Sequence, residues 1–200
     1  VESGDLDRLR TRLQAWIDGE IRRVLGPLVD LDAVPLDGAA RGLLFQVREG
    51  LGSVARADAA TQIDALGRDQ RRALKAIGLR IGRANVYLPS MLKARPVALR
   101  AMLWTGQHDE TPWVPPPGRV SFPPPAGVSP AALAAAGYQV LGPRAVRVDI
   151  VERLAAMVWN GPRVDAAAPS PEMMAVVGAG TEETAQIVAA LGVGYADRKA

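Results

Sequence analysis

Residues 6–28 read LDRLRTRLQAWIDGEIRRVLGPL. Leu6, Leu9, Leu13, Trp16, Ile17, Ile21, Val24, Leu25 and Leu28 recur at steps of three and four, which lays one apolar stripe along a helix over about residues 5–25. Gly26-Pro27 is expected to end it, because proline supplies no amide and glycine suits a helix exit. A second helix is expected to open at Asp37 as N-cap, with Ala40, Leu43, Leu44, Val47 and Leu51 on one side and an end near Gly50 or Gly52. Residues 55–66 and 69–77 read as two shorter helices, each followed by a glycine, Gly67 or Gly78, suited to a left-handed C′ position. The first half of the chain therefore reads as a helical bundle.

After Gly78 the pattern changes. Leu79, Ile81, Val86 and Leu88 bracket small and basic residues before Pro89, as in an extended connection or a short edge strand. Helix resumes with Pro96 in a first turn, Val97, Leu99, Met102, Leu103 and Trp104 facing inward, and Arg95 and Arg100 left to the surface. Eight prolines in TPWVPPPGRVSFPPPAGVSP, residues 111–130, favour an extended and semi-rigid backbone. Beyond them a short alanine-rich helix (130–136), a strand (138–141), a helix opened by Pro143 and running to Trp159, and two small helices (171–177, then one capped by Thr181) complete the chain. The expected class is mainly α, with one or two short strands at most. Its parts are a bundle over 1–105 containing a basic segment over 68–100, a proline-rich connection over 106–130, and a small helical subdomain over 131–200.

Charge is distributed unevenly. There are 8 basic against 11 acidic residues over 1–67, 9 against 1 over 68–100, and 7 against 9 over 101–200. The stretch 71–100, RRALKAIGLRIGRANVYLPSMLKARPVALR, holds Arg71, Arg72, Lys75, Arg80, Arg83, Lys93, Arg95 and Arg100 and no Asp or Glu. Solvated helix faces usually mix signs, whereas gathered like charges repel unless an anion offsets them, so this stretch is a candidate surface for a polyanion. Tyr87 lies among these cations, where an aromatic ring can stack on an unpaired base while the cations follow phosphates.

Other chemistry is poorly represented. Without cysteine there is no disulfide, thiolate nucleophile or Cys-type zinc site, and the single His108 cannot assemble a histidine metal cluster. VGAGTEET (177–184) lacks the lysine of a phosphate-binding loop and follows a helix rather than a strand, so it reads as a turn between helices. GQHDE places His108 beside Asp109 and Glu110, but sequence neighbours rarely form a catalytic pair and a lone loop histidine is usually solvated. Asp30, Asp32 and Asp37 in DLDAVPLDG read as capping and turn residues, since Val34 stands where a calcium loop needs an oxygen ligand. Asp149 and Arg153 have the spacing of a weak helical ion pair, and Trp16, Trp104 and Trp159 fall on apolar helical faces. No apolar run is long enough for a membrane span and no secretory signal opens the chain, so a cytoplasmic location is expected, and the start at Val1 fits excision from a longer polypeptide.

Four stretches, AARGLLFQVREGLG (39–52), RRALKAIGLRIGRANVYLPSMLKARPVALRAMLW (71–104), GYQVLGPRAVRVDIVERLA (137–155) and MMAVVGAGTEETAQIVAALGV (173–193), together resemble the C-terminal region of bacterial relatives of the mitochondrial degradosome RNA helicase, a superfamily-two motor of the DExH type. Nothing here corresponds to the helicase's ATP-binding loop, acidic motif or arginine-finger motif. The resemblance implies an accessory region of an ATP-dependent RNA or DNA helicase, with no enzyme activity or cofactor of its own, ATP and Mg being bound by the parent's motor domains. The partners expected are single-stranded nucleic acid, RNA favoured, the motor domains of the same chain and an exonuclease, with no membrane. The alternative is a protein-interaction scaffold that recruits a nuclease or packs on the motor domains.

Overall fold

The computed structural model describes residues 3–160 and 168–191. The apolar periodicity of the N-terminal stretch yields one long helix, α1 (Ser3–Val29), which does not stop at Gly26-Pro27. It kinks there instead, with Leu25 at φ −108°, ψ 15°, and Pro27 sits in the turn beyond the kink. Helix α2 (Gly38–Glu49) follows, with Asp37 in the extended N-cap conformation and Ala40, Leu43, Leu44 and Val47 buried.

Residues 53–55 form a strand, β1 (Ser53–Ala55), that the sequence does not announce, and of the helix expected over 55–66 only α3 (Ala60–Asp64) is helical. Helix α4 (Arg68–Ala76) takes Gly67 as its N-cap, at φ −73°, rather than following a left-handed Gly67. Gly78 does adopt φ +89°, which lets the chain leave α4 sharply and enter β2 (Arg80–Ile81). Strand β3 (Asn85–Tyr87) returns against β2 and also pairs β1, so it is the centre of a sheet ordered β1-β3-β2 and not an edge. Leu25, Leu28, the inner face of α2, Ile63, Leu74, Val86 and Leu88 close the first core.

Helix α5 (Ala94–Gln107) leads out of this unit. The proline-rich stretch is packed and not a free connection: it contributes β4 (Ser121–Phe122), and Phe122 and Trp113 join Val97, Ala101, Leu133 and Tyr138 in a second core. Phe122 stands between two rings, with centroids 5.9 Å from Trp113 and 5.0 Å from Tyr138. Helix α6 (Pro130–Ala135) is capped by the Ser129 hydroxyl, and β5 (Tyr138–Leu141) lies where expected. Residues 144–147 depart from expectation. After Gly142-Pro143 the chain forms β6 (Arg144–Arg147), which pairs both β5 and β4, and α7 (Val148–Asn160) starts only then. Asn160-Gly161-Pro162 is the sequence signal expected to end this helix after Trp159, and Gly161 and Pro162 lie outside the described residues.

Helices α8 (Pro171–Val177) and α9 (Thr181–Ala190) cover the second sheet, with Met173, Val177, Ile187 and Val188 against Ile150, Val151 and Leu154. Gly180, not Thr181, is the N-cap of α9. The fold is mainly α as expected, and its strands, six among the described residues, form two small three-stranded antiparallel sheets.

Candidate nucleic-acid interface

The acid-free stretch crosses four structural elements, and each treats its cations differently. On α4, Arg71, Arg72 and Lys75 are exposed. The Arg71 guanidinium donates to the Ile63 carbonyl at the end of α3, while Arg72 lies 3.8 Å from Asp69 with both side chains largely in water. An exposed pair at that distance contributes little. Lys75 has no ion pair with a described carboxylate.

The β2–β3 hairpin carries Arg80, Arg83 and Tyr87. Arg80 and Ser53 stand directly opposite Tyr87 on its two neighbouring strands, so the three share a cross-strand row. Arg80 is exposed and pairs with no described carboxylate, while Tyr87 is half-buried. Burial raises the Tyr87 phenol above its usual range, Glu152 and Asp149 add to the shift, and Arg80 opposes it. Arg83 lies over the Trp159 ring, 5.7 Å from its centroid.

What holds this turn in shape is a carboxylate from the other half of the chain. Glu152 of α7 accepts the amides of Arg83 (2.6 Å), Ala84 (2.9 Å) and Asn85 (2.5 Å), three consecutive donors that form a nest for an anion. A Cβ on Gly82 would overlap that carboxylate, which is the reason for glycine at 82. Arg56 adds a bond to the Gly82 carbonyl (2.9 Å). Sequence spacing gives no sign of either contact, because Glu152 and the turn are nearly seventy residues apart. Asp149, meanwhile, is held by Arg147 through two bonds of 2.7 and 2.9 Å rather than by Arg153.

Lys93 and Arg95 flank the start of α5 and open onto different clefts. Lys93 is exposed and lines a cleft of about 340 Å³ walled by Pro115, Pro116 and Pro117, with Arg147 across it. Arg95 pairs with Glu20 of α1 at 3.2 Å, and Arg23 holds the same carboxylate and lowers its pKa.

Arg100 is not a surface residue. It is fully buried on the side of α5 that carries Val97 and Ala101. Its guanidinium donates to the carbonyls of Leu51, Met91 (2.6 Å) and Ala136 (3.3 Å), so it joins the first unit to α6. With no carboxylate beside it, burial lowers its pKa to about 10. Arginine type and an acid-free neighbourhood both suggest the surface; three convergent carbonyls remove Arg100 from any contact with a strand.

His108 stacks on Trp104 with centroids 3.8 Å apart, and its Nδ1 lies 2.9 Å from the Trp104 carbonyl. Asp32 pairs with Arg48, and no described group of His, Asp and Glu residues is arranged to hold a metal ion. Two tryptophans expected in the core are not there: Trp16 is 68% exposed and Trp159 lies at the surface beneath Arg83. Among the described residues no helix is long and apolar enough to cross a membrane.

No family model, curated protein or solved structure matches the chain. The class the fold defines is a mainly helical protein with two small antiparallel sheets joined through α5 and Arg100.

Proposed function

We propose that the chain is a non-catalytic, nucleic-acid-binding accessory region of an ATP-dependent RNA or DNA helicase that holds the strand backbone while the motor moves it. The reading rests on one observation above the rest: Lys75, Arg80 and Lys93 project into water from an acid-free stretch with no described carboxylate to neutralise them. Arg71, Arg72, Arg83 and Arg95 are further cations of the same stretch, each already engaged locally. Tyr87, half-buried, is the stacking residue of this reading. Affinity of this kind is largely independent of sequence and falls with salt. The likeness of four segments to the degradosome helicase's C-terminal region supports the same reading. ATP and Mg belong to the parent's motor domains.

Fluorescence anisotropy with labelled single-stranded RNA and DNA tests it. The expected result is binding whose log Kobs falls linearly with log salt, RNA ahead of DNA. In a Lys75→Glu, Arg80→Glu, Lys93→Glu variant the slope should shrink by about 2, since each phosphate contact on a single strand contributes about 0.7. Negligible binding at low salt, or an unchanged slope in the variant, overturns the proposal.

The uncovered apolar face of α1 favours a second reading, in which the chain is a scaffold that recruits a nuclease or packs on motor domains. There the triple variant keeps its partner and loses nothing.

A further inference from the structure

Before the kink near Leu25, α1 is covered unevenly. Leu6 (55%), Leu9 (55%), Leu13 (53%) and Trp16 (68%) are exposed along one stripe, with Ile17 beside them. Nearer the kink, Ile21 and Val24 form the floor of an open groove of about 410 Å³ between α1 and α5, whose far wall is Leu99, Met102 and Leu103. One helix thus carries a protruding apolar ridge followed by an apolar hollow.

The spacing of these residues is palindromic. Positions 6, 9, 13, 17, 21 and 24 are separated by 3, 4, 4, 4 and 3 residues, so the series reads identically from either end about position 15. A copy of α1 laid antiparallel about that point sets Leu6 on Val24, Leu9 on Ile21 and Leu13 on Ile17, apolar against apolar at these three layers, with Trp16 beside Gln14 of the copy. The same register sets Asp7 opposite Arg23, Arg10 opposite Glu20 and Arg12 opposite Asp18, with one like-charged pair, Arg8 and Arg22. A shift of the axis by one residue destroys both matches.

We infer that the occupant of this face is a second copy of the chain, docked antiparallel along α1 with its Leu6 and Leu9 filling the groove over Ile21 and Val24. The contact is isologous, since ridge meets hollow twice about a two-fold axis. Covering the exposed apolar parts of Leu6, Leu9, Leu13, Trp16, Ile17 and Met102 removes on the order of 600 Å² per copy, or about 1,200 Å² across the pair, which reaches the lower bound of a specific interface. The inference is independent of strand binding and uses none of the cations assigned to it.

Sedimentation equilibrium of the purified chain over about 1–100 μM tests it, with a monomer–dimer equilibrium expected. A Leu9→Glu, Leu13→Glu variant changes only exposed side chains, keeps its circular dichroism, and should weaken the dimer by more than about 100-fold by burying unpaired charge. Because the chain has no cysteine, orientation can be read directly from mixed Leu9→Cys and Ile21→Cys variants. Cross-links should form only between unlike partners. A wild-type monomer throughout, a glutamate variant that dimerises as well as wild type, or cross-links between like partners overturns the inference.

Discussion

The two sheets have the same plan and different surroundings. In β1-β3-β2 and in β4-β6-β5 the last strand in sequence is central, the middle strand is its hairpin partner, and the first pairs its other edge. Even the outer pair of each hairpin is alike: Arg80 faces Tyr87 in one, Tyr138 faces Arg147 in the other. The surroundings differ. In the second sheet Tyr138 is buried and donates to the Arg119 carbonyl (2.8 Å), Arg147 is locked by Asp149, and Arg144 reaches Ser121 (3.0 Å) and Glu183 (3.1 Å). In the first sheet Arg80 has no described carboxylate. A cross-strand Tyr–Arg pair is therefore a packing device or an open cation according to what the neighbouring helix supplies.

The joint between the two units gives the largest expected effect. Arg100→Ala leaves three carbonyls unpaired and opens a cavity, and should lower stability by about 3–5 kcal/mol in urea unfolding. A loss near zero would mean the guanidinium's desolvation cancels its bonds. The pH sense is distinctive. With its pKa lowered to about 10, Arg100 holds fewer protons folded than unfolded once the pH passes that value, so its penalty is constant below pH 10 and lifts only above it.

Glu152 ranks next. Glu152→Ala strands three amides of the β2–β3 turn and should cost about 2–3 kcal/mol, with Gly82→Ala causing a similar loss by displacing the carboxylate. Hydrogen exchange at 83–85 should quicken in both variants while the amides of the second sheet stay protected.

Smaller still is the tyrosine contrast. Tyr138→Phe deletes one hydrogen bond and should cost about 1 kcal/mol, whereas Tyr87→Phe should stay within about 0.5 kcal/mol. Burial raises the Tyr138 phenol above its usual range, so its contribution is complete below pH 10 and is lost as pH climbs through the raised value. Tyr138→Phe should therefore flatten the alkaline fall in stability.

Helices with a sustained apolar stripe, α1, α2, α5 and α7 to α9, were legible in the sequence, as were β5 and the left-handed Gly78. Among the other strands, all of two to four residues, the 79–88 segment reads only as an extended connection or a single edge strand and the rest do not register, because so short a run shows no period-two pattern. Arg144-Ala145-Val146-Arg147 follows Pro143 and reads equally well as a helix opening; its pairing with Ser121 and Phe122 decides the matter. The extent of α1 was misread because a kink accommodates Pro27 without ending the helix. The basic stretch was legible as charge, yet the burial of Arg100 and the nest around Glu152 arise from backbone groups that composition does not encode.

The contrast between the sheets meets its plainest test in a pair of single substitutions, Arg80→Ala and Arg147→Ala, each followed by the salt dependence of single-stranded RNA binding and by Tm. Arg80→Ala should shrink the salt slope by about 0.7 and leave Tm in place, and Arg147→Ala should lower Tm and leave the slope in place. The reverse pattern, a slope that follows Arg147 and a fold that depends on Arg80, would contradict the assignment of the first sheet to strand contact.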